Sequence, residues 1–275
     1  MILQANQGRL KASNRTCTRR RNTWQNRRWQ KETALQQITP GLIPLIIVSF
    51  LPGLLWVWFF YRKDKYQPEP ISLVIKAFVY GAVSVFPAAL IEAPFRPFIA
   101  GETPSLARLF VVTTLVIGFV EETAKFFAVR LAVYDHEEFD EVVDGIIYAV
   151  AAGLGFAAVE NLFYSVRFGI TVGLFRAFIT DLAHASFSGI VGYHLGLAKL
   201  HKGNTTFLLL KGLAVAVGLH GMYDFLIISR LVPPAFGIVL AVVTYFYLDS
   251  KIQKARLLSL GQNPPPPVID NEDET

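Results

Sequence analysis

The spacing of the charged residues limits what this chain can fold into more than any other feature. They fall in clusters, and between the clusters lie stretches of about 20 residues that are almost wholly apolar, the length needed to cross a bilayer as a helix. The stretches are 41–60, 71–91, 106–132, 145–164, 172–198, 207–229 and a shorter 234–248. Over all 275 residues, 53% are hydrophobic and 17% charged, against about a quarter charged in a soluble domain. Mean hydropathy is +0.41. A disordered chain, a coiled coil and an ordinary cytosolic enzyme are excluded. No alternation of the kind that marks a transmembrane barrel is present. The expectation is an all-α, polytopic transmembrane helical bundle of about 7–8 spans, with 94–100 as a re-entrant piece or part of the eighth. The lipid bilayer is its first partner.

The ends differ from the middle. Residues 1–40 carry Arg9, Lys11, Arg15, Arg19, Arg20, Arg21, Arg27, Arg28 and Lys31 against one acid, Glu32. They read as a basic disordered tail rather than a nucleic-acid arm, and no nucleic-acid partner is expected. No cleaved signal peptide is expected either, because the following apolar run is too long. Residues 251–275, with Pro264 to Pro267 and the acids Asp270 to Glu274, read as a disordered C-terminal tail. The domain between is 41–250. Lys and Arg in the loops favour a cytoplasmic C-terminus, whereas the basic tail favours a cytoplasmic N-terminus. The single Cys17 excludes an intramolecular disulfide and Cys-rich metal motifs.

Ionisable groups inside the apolar stretches carry the functional signal, since each costs about 2.5–3.5 kcal/mol at a membrane centre. Glu121, Glu122 and Lys125 lie in the third stretch, Glu160 in the fourth, His184 in the fifth, and His220 with Asp224 in the sixth. Glu121 and Lys125 are i,i+4 and share a helix face, with Glu122 rotated about 100° away; one lysine is not expected to serve both acids equally. Asp181, one turn before His184, could orient its ring. Asp224 could fix the tautomer of His220. Gly153, Gly155, Ser188, Gly192 and Gly196 read as close-packing positions. The acidic loop 135–144 reads as solvated, with Asp144 placed to cap the following helix. Two acids, a third acid and two histidines on four consecutive stretches could converge on one polar site. Such a set can activate water and stabilise an oxyanion, and it has the ligand types for a metal ion. No H-E-x-x-H, G-x-S-x-G, Walker A or dinucleotide fingerprint occurs.

These residues resemble the PrsW family of intramembrane proteases, distant relatives of the type II CAAX prenyl endopeptidases and of bacteriocin-immunity-type membrane proteins. Four pieces carry the resemblance: YRKDKYQPEP at 61–70, EExxK at Glu121, Glu122 and Lys125, the 144–161 segment with Phe156, Glu160 and Asn161, and His184 followed by His220 and Asp224. The resemblance implies a multi-pass protein of the bacterial cell membrane that hydrolyses a peptide bond in a single-span membrane protein, an anti-sigma factor being the best-known case. It implies Glu121 as general base, supported by Glu122 and Lys125, with Glu160 sharing the water or ligating a metal. His184 and His220 would stabilise the oxyanion or bind the metal, with Asp224 orienting His220. The family is described both as glutamic-type and as metallo-type. The favoured glutamic-type reading requires no cofactor; the alternative is a divalent metal, zinc, held by Glu121, Glu160, His184 and His220. Two rivals stand beside it: a proton-coupled transporter or channel using Glu121, Glu160 and His184 as a relay, and a non-catalytic scaffold or immunity protein of the same fold.

Overall fold

The computed structural model describes residues 41–64, 67–99, 105–200 and 204–262. The basic N-terminal tail and the Pro-rich end lie outside the described residues. Among those described, every regular element is helical: α1 (Leu42–Tyr61), α2 (Ile71–Glu92) running into a 3-10 turn (Ala93–Phe98), α3 (Leu106–Val111), a π-helical segment (Val112–Gly118), α4 (Phe119–Ala132), α5 (Val142–Phe168), α6 (Ile170–Leu200), α7 (Thr205–Ser229) and α8 (Ala235–Gln262). The last helix therefore passes the expected boundary at 250 and takes in residues 251–262. Ile252 and Ala255 are buried against the core, so an inward apolar stripe keeps this segment helical where composition alone read as tail.

Five helices are long and apolar enough to cross a membrane: α1, α2 with its 3-10 turn, α5, α7 and α8. The third and fifth apolar stretches of the sequence are not among the five. α3 to α4 carries Arg108, Glu121, Glu122, Lys125 and Arg130, and α6 carries Arg176, Asp181, His184 and Lys199. The polar groups that make these two elements interesting are what lower their hydropathy.

α5 is the centre of the bundle. In its most apolar window 94% of residues are buried, against 22–33% in the other four membrane-length helices. Its sequence explains the difference. Gly145, Ala149, Ala152, Gly153, Gly155 and Ala158 leave room for neighbouring backbones, as small residues do wherever helices meet in lipid. A Cβ on Gly155 would lie 1.9 Å from the carbonyl oxygen of Phe78, and one on Gly81 would lie 1.9 Å from that of Ala152, so α2 lies directly against one face. On another face, a Cβ on Gly192 would lie 2.1 Å from the carbonyl of Gly145. Gly153 and Gly155 thus serve two neighbours, α6 and α2. The outer helices turn Leu54, Leu55, Val83, Phe86, Leu90, Phe246 and similar side chains outward.

The π-helical turn follows from no motif in the sequence. α7 packs on it: a Cβ on Gly221 would meet Thr114 at 2.4 Å, and one on Gly118 would meet the Val217 carbonyl at 2.9 Å. π-turns shift the face that the following helix presents and recur at functional sites. Here the turn ends just before Glu121 and Glu122.

At the start of α5 a capping box forms with Glu141, not Asp144, as the cap. The Asp144 carboxylate accepts the backbone N–H groups of Glu141 at 2.5 Å and Asp140 at 2.9 Å, and the Glu141 side chain accepts in return from the third helical N–H. The acidic loop is solvated at Asp135, Glu137, Glu138 and Asp140, but Glu141 and Asp144 are buried.

The close α5–α6 contact gives a direct test. Gly145→Val would force a side chain into the Gly192 carbonyl, 2.4 Å from where the Cβ must sit, and should cost about 1–3 kcal/mol. Gly218→Ala, where nothing lies within 4 Å, should be neutral or stabilising by up to about 1 kcal/mol from helix propensity. Thermal unfolding of the detergent-purified protein, followed by far-UV circular dichroism, separates the two; equal melting temperatures would refute the close-packed interface.

Candidate functional site

Four helices bring the sequence-selected residues together. α4 supplies Glu121, Glu122 and Lys125, α5 supplies Phe156 and Glu160, α6 supplies His184, and α7 supplies His220 and Asp224. Glu122 is fully buried, Lys125 is 1% exposed, and His184 and His220 are 3% and 2% exposed.

Lys125 is the hub. Its ammonium donates to Glu121 Oε2 at 3.2 Å and Glu122 Oε1 at 2.9 Å, and lies 2.8 Å from His184 Nδ1. The single lysine therefore serves both acids, contrary to the helical-wheel expectation. At i+3 and i+4 the two carboxylates flank it, and its long stem lets the head lie between them. An ammonium has three protons and no acceptor, so all three are used. Nδ1 of His184 must then accept, which places the ring proton on Nε2, 3.2 Å from Glu160 Oε2. The ammonium also lies 4.4 Å from the centre of the Phe156 ring, and that ring stacks on His184 with centroids 6.0 Å apart. Phe156 and Glu160, i and i+4 on α5, thus both face His184.

His220 is held differently from expectation. Its Nδ1 lies 2.9 Å from Glu122 Oε1, so Glu122 fixes the tautomer with the proton on Nδ1. Asp224 Oδ2 lies 3.6 Å from Nε2, beyond a hydrogen bond, and Glu121 Oε2 lies 3.7 Å from the same nitrogen. Nε2 therefore faces two carboxylates across a gap that one small ligand atom can bridge. Phe187, one turn after His184, stacks on His220 with centroids 5.3 Å apart. The two imidazoles lie 5.1 Å apart.

Three neighbours escaped the sequence reading. Arg176 donates to Glu160 Oε1 at 2.8 Å and to Asn161 Oδ1 at 3.1 Å. Asn161 in turn donates to Asp181 Oδ1 at 2.7 Å, so Asp181 anchors Asn161 rather than orienting His184. Arg176, Thr180 and His184 fall at i, i+4 and i+8 on α6, a spacing that could have marked Arg176 as part of the site face instead of a loop cation. Phe187 follows the same logic. Glu92, at the end of α2, lies in electrostatic range of Glu121, Glu160 and Asp224, and its buried Oε1 has no hydrogen-bond partner; nothing in the sequence joined it to the other acids.

Glu121, His184 and His220 each offer a ligand atom within 4.8 Å of the others. Glu160 falls outside that trio because Arg176 claims it. Two imidazoles and a carboxylate are a known zinc donor set, and a carboxylate holding the far nitrogen of a histidine, as Glu122 holds His220, is the usual support for such a ligand. Four carboxylates (Glu121, Glu122, Glu160, Asp224) face two permanent cations, Lys125 and Arg176. The excess negative charge suits a divalent cation.

Removing the hub should be costly. Lys125→Met leaves Glu121 and Glu122 buried without their cation, and breaking a buried pair from one side costs roughly 3–5 kcal/mol. Chemical or thermal unfolding in detergent should show a loss of that order; a loss below about 1 kcal/mol would mean the pair is not buried as described.

Comparison with known proteins identifies the family. Residues 69–248 match the family described as PrsW family intramembrane metalloprotease. The chain is 32% identical to Protease PrsW of Bacillus subtilis (strain 168) over 223 residues, 80% of this chain and all of the relative. It is 34% identical to Protease PrsW of Geobacillus kaustophilus over 189 residues, covering 69% and 82%, and 33% identical to Protease PrsW of Clostridioides difficile over 192 residues, covering 68% and 79%. No solved structure matches the chain. With the family matched over most of the helical core, and with five membrane-length helices, the chain belongs to the PrsW family of intramembrane proteases, multi-pass proteins of the bacterial membrane.

Proposed function

We propose that this chain hydrolyses a peptide bond of a membrane-anchored, single-span protein, with Glu121 drawing the proton from the attacking water. The observation that carries this reading is the convergence of Glu121, His184 and His220 within 4.8 Å, on helices that share a membrane-length bundle. We also propose that 106–132 and 170–200 cross the bilayer, giving seven spans, since 27 and 31 residues of helix at ~1.5 Å per residue exceed ~30 Å of hydrocarbon. An anti-sigma factor is the substrate that the resemblance implies.

In this reading each residue has a separate task. Lys125 has no free donor, so it does not touch the substrate; it holds Glu121, Glu122 and His184 in place. Glu121 has one oxygen on Lys125, and that same oxygen lies 3.7 Å from Nε2 of His220. It accepts a proton as the water oxygen bonds to the amide carbon. The charge that develops on the carbonyl oxygen is met by His220, whose imidazolium form is stabilised by Glu122 on Nδ1 and by Asp224 beyond Nε2. The C–N bond then breaks, and the proton held by Glu121 passes to the leaving nitrogen. Arg176 keeps Glu160 ionised beside His184, fixing the Nε2–H tautomer. The fields act strongly because the cluster is buried.

The same trio fits a divalent cation, and the family description favours it. Glu121, His184 and His220 would hold it, and a bound ion supplies Lewis-acid activation of water and carbonyl. Glu122 then keeps its place as the support of His220, whereas His184 could offer a lone pair only by giving up its Nδ1 contact with Lys125.

Glu121→Gln should lower cleavage of a co-expressed single-span substrate by about 100-fold or more, the scale of a lost general base, while membrane insertion and melting temperature stay near wild type. Cleavage at the wild-type rate would refute the assignment. Chelator inhibition reversed by zinc identifies the metal-assisted form; full activity in metal-free protein identifies the carboxylate–water form.

A further inference from the structure

A second cluster of acids lies at the opposite end of α5, and the proposed peptide hydrolysis does not use it. Asp64 and Glu69, from the connection between α1 and α2, meet Asp144 in the first turn of α5. They are 5%, 4% and 1% exposed, respectively, and one carboxylate oxygen from each lies within 4.8 Å of the others. Along the helix, Asp144 is about 24 Å from Glu160 at ~1.5 Å per residue, so this is a separate place in the molecule.

An acidic cluster needs more than proximity to be a site, and Asp144 provides it. Its Oδ2 is committed to the capping box, where it accepts two backbone N–H groups. Its Oδ1 is buried and takes no hydrogen bond from a backbone or basic donor; its carboxyl meets that of Glu69. An ionised oxygen left so is expensive, and among the described residues no ion pair joins Asp144 or Glu69 to a basic side chain. Glu69 is preset as well: the Tyr148 hydroxyl donates to its carboxylate, and the Tyr61 hydroxyl donates to its carbonyl at 3.0 Å.

We propose that Asp64, Glu69 and Asp144 form a cation site for a hard divalent ion of the calcium type, which ties the α1–α2 connection to the start of α5. The donors are all oxygens, which excludes a preference for soft metals. Their deep burial favours calcium over magnesium, because magnesium keeps most of its waters whereas calcium accepts an irregular set of protein oxygens. The site differs in ligand chemistry from the histidine-bearing trio, so the two should take different ions.

The test uses the full chain, purified in detergent and washed with chelator. Terbium is titrated and its luminescence followed, with calcium as competitor, and melting temperature is measured with calcium and with chelator. Wild type should bind terbium saturably, calcium should displace it, and calcium should raise the melting temperature. Asp144→Asn keeps an oxygen for the capping box and should weaken terbium binding at least about tenfold, the order expected when one carboxylate ligand is lost, and abolish the calcium-dependent rise. Glu69→Gln keeps an acceptor for Tyr148 and should do the same, which covers the case in which Asp144→Asn does not fold. Glu121→Gln should leave terbium binding unchanged, so failure here is distinct from failure of the proteolytic reading. Absence of saturable terbium binding to wild type overturns the proposal, as does wild-type affinity in both carboxamide variants.

Discussion

The ammonium of Lys125 is the point on which the site is built. Removing an ion from water costs several kcal/mol even after relaxation, and the cost is offset only where every proton finds an acceptor. Lys125 meets that condition with Glu121, Glu122 and His184, and adds the face of Phe156. Those partners come from three helices. Satisfying one buried cation therefore fixes the relative placement of α4, α5 and α6, and through Glu122 it reaches His220 on α7. The glutamate doublet looks redundant in one dimension, but its members have different partners. Glu122 bridges the lysine and His220 and is saturated at Oε1. Glu121 shares only the lysine and lies across a gap from His220. One acid is structural support, and the other is left able to react.

The apolar side of the fold makes that polar cluster possible. α5 is lined with Gly and Ala, so α2 and α6 approach its backbone closely. Packing of this kind matters in lipid because no hydrophobic driving force separates helix–helix from helix–lipid contacts. Close contact along α5 excludes lipid from the interior and brings Glu160 to Arg176 and His184. The small residues and the ionisable ones are two parts of one design: the first bring the helices together, and the second can then be paired.

Much of the site was legible in the sequence because ionisable residues in apolar stretches have few explanations. Glu121, Glu122, Lys125, Glu160, His184, His220 and Asp224 stand out on cost alone, and they converge. The pairings were less legible. Spacing along one helix suggested Asp181 for His184 and Asp224 for His220, yet the actual partners, Lys125 and Glu122, come from another helix. Local spacing sees i+3 and i+4 neighbours and is blind to what faces them across an interface. The π-turn at Val112–Gly118 was invisible for a related reason, since no residue type demands it and its close contacts, Thr114 with Gly221 and Gly118 with Val217, are made with α7. Arg176 escaped because it lies near the start of its stretch, and position along the sequence says nothing of the face it shares with Thr180 and His184. The five membrane-length helices among the described residues leave out 106–132 and 170–200, the stretches that carry most of the site's ionisable groups.

The two polar clusters on α5 show a common rule with opposite outcomes. At the Glu160 end, basic side chains from α4 and α6 arrive to pair the acids, and the pairing leaves one imidazole nitrogen facing two carboxylates. At the Asp144 end, the hydrogen bonds come from backbone amides and tyrosine hydroxyls, which hold the carboxylates without neutralising them. Hydrogen bonds orient an acid, but only charge or a proton offsets its burial. At the first end Lys125 and Arg176 answer part of the acids' charge. At the second, among the described residues no ion pair joins Glu69 or Asp144 to a basic side chain, and the proposed cation would supply the balance. The same central helix carries both, about 24 Å apart at ~1.5 Å per residue.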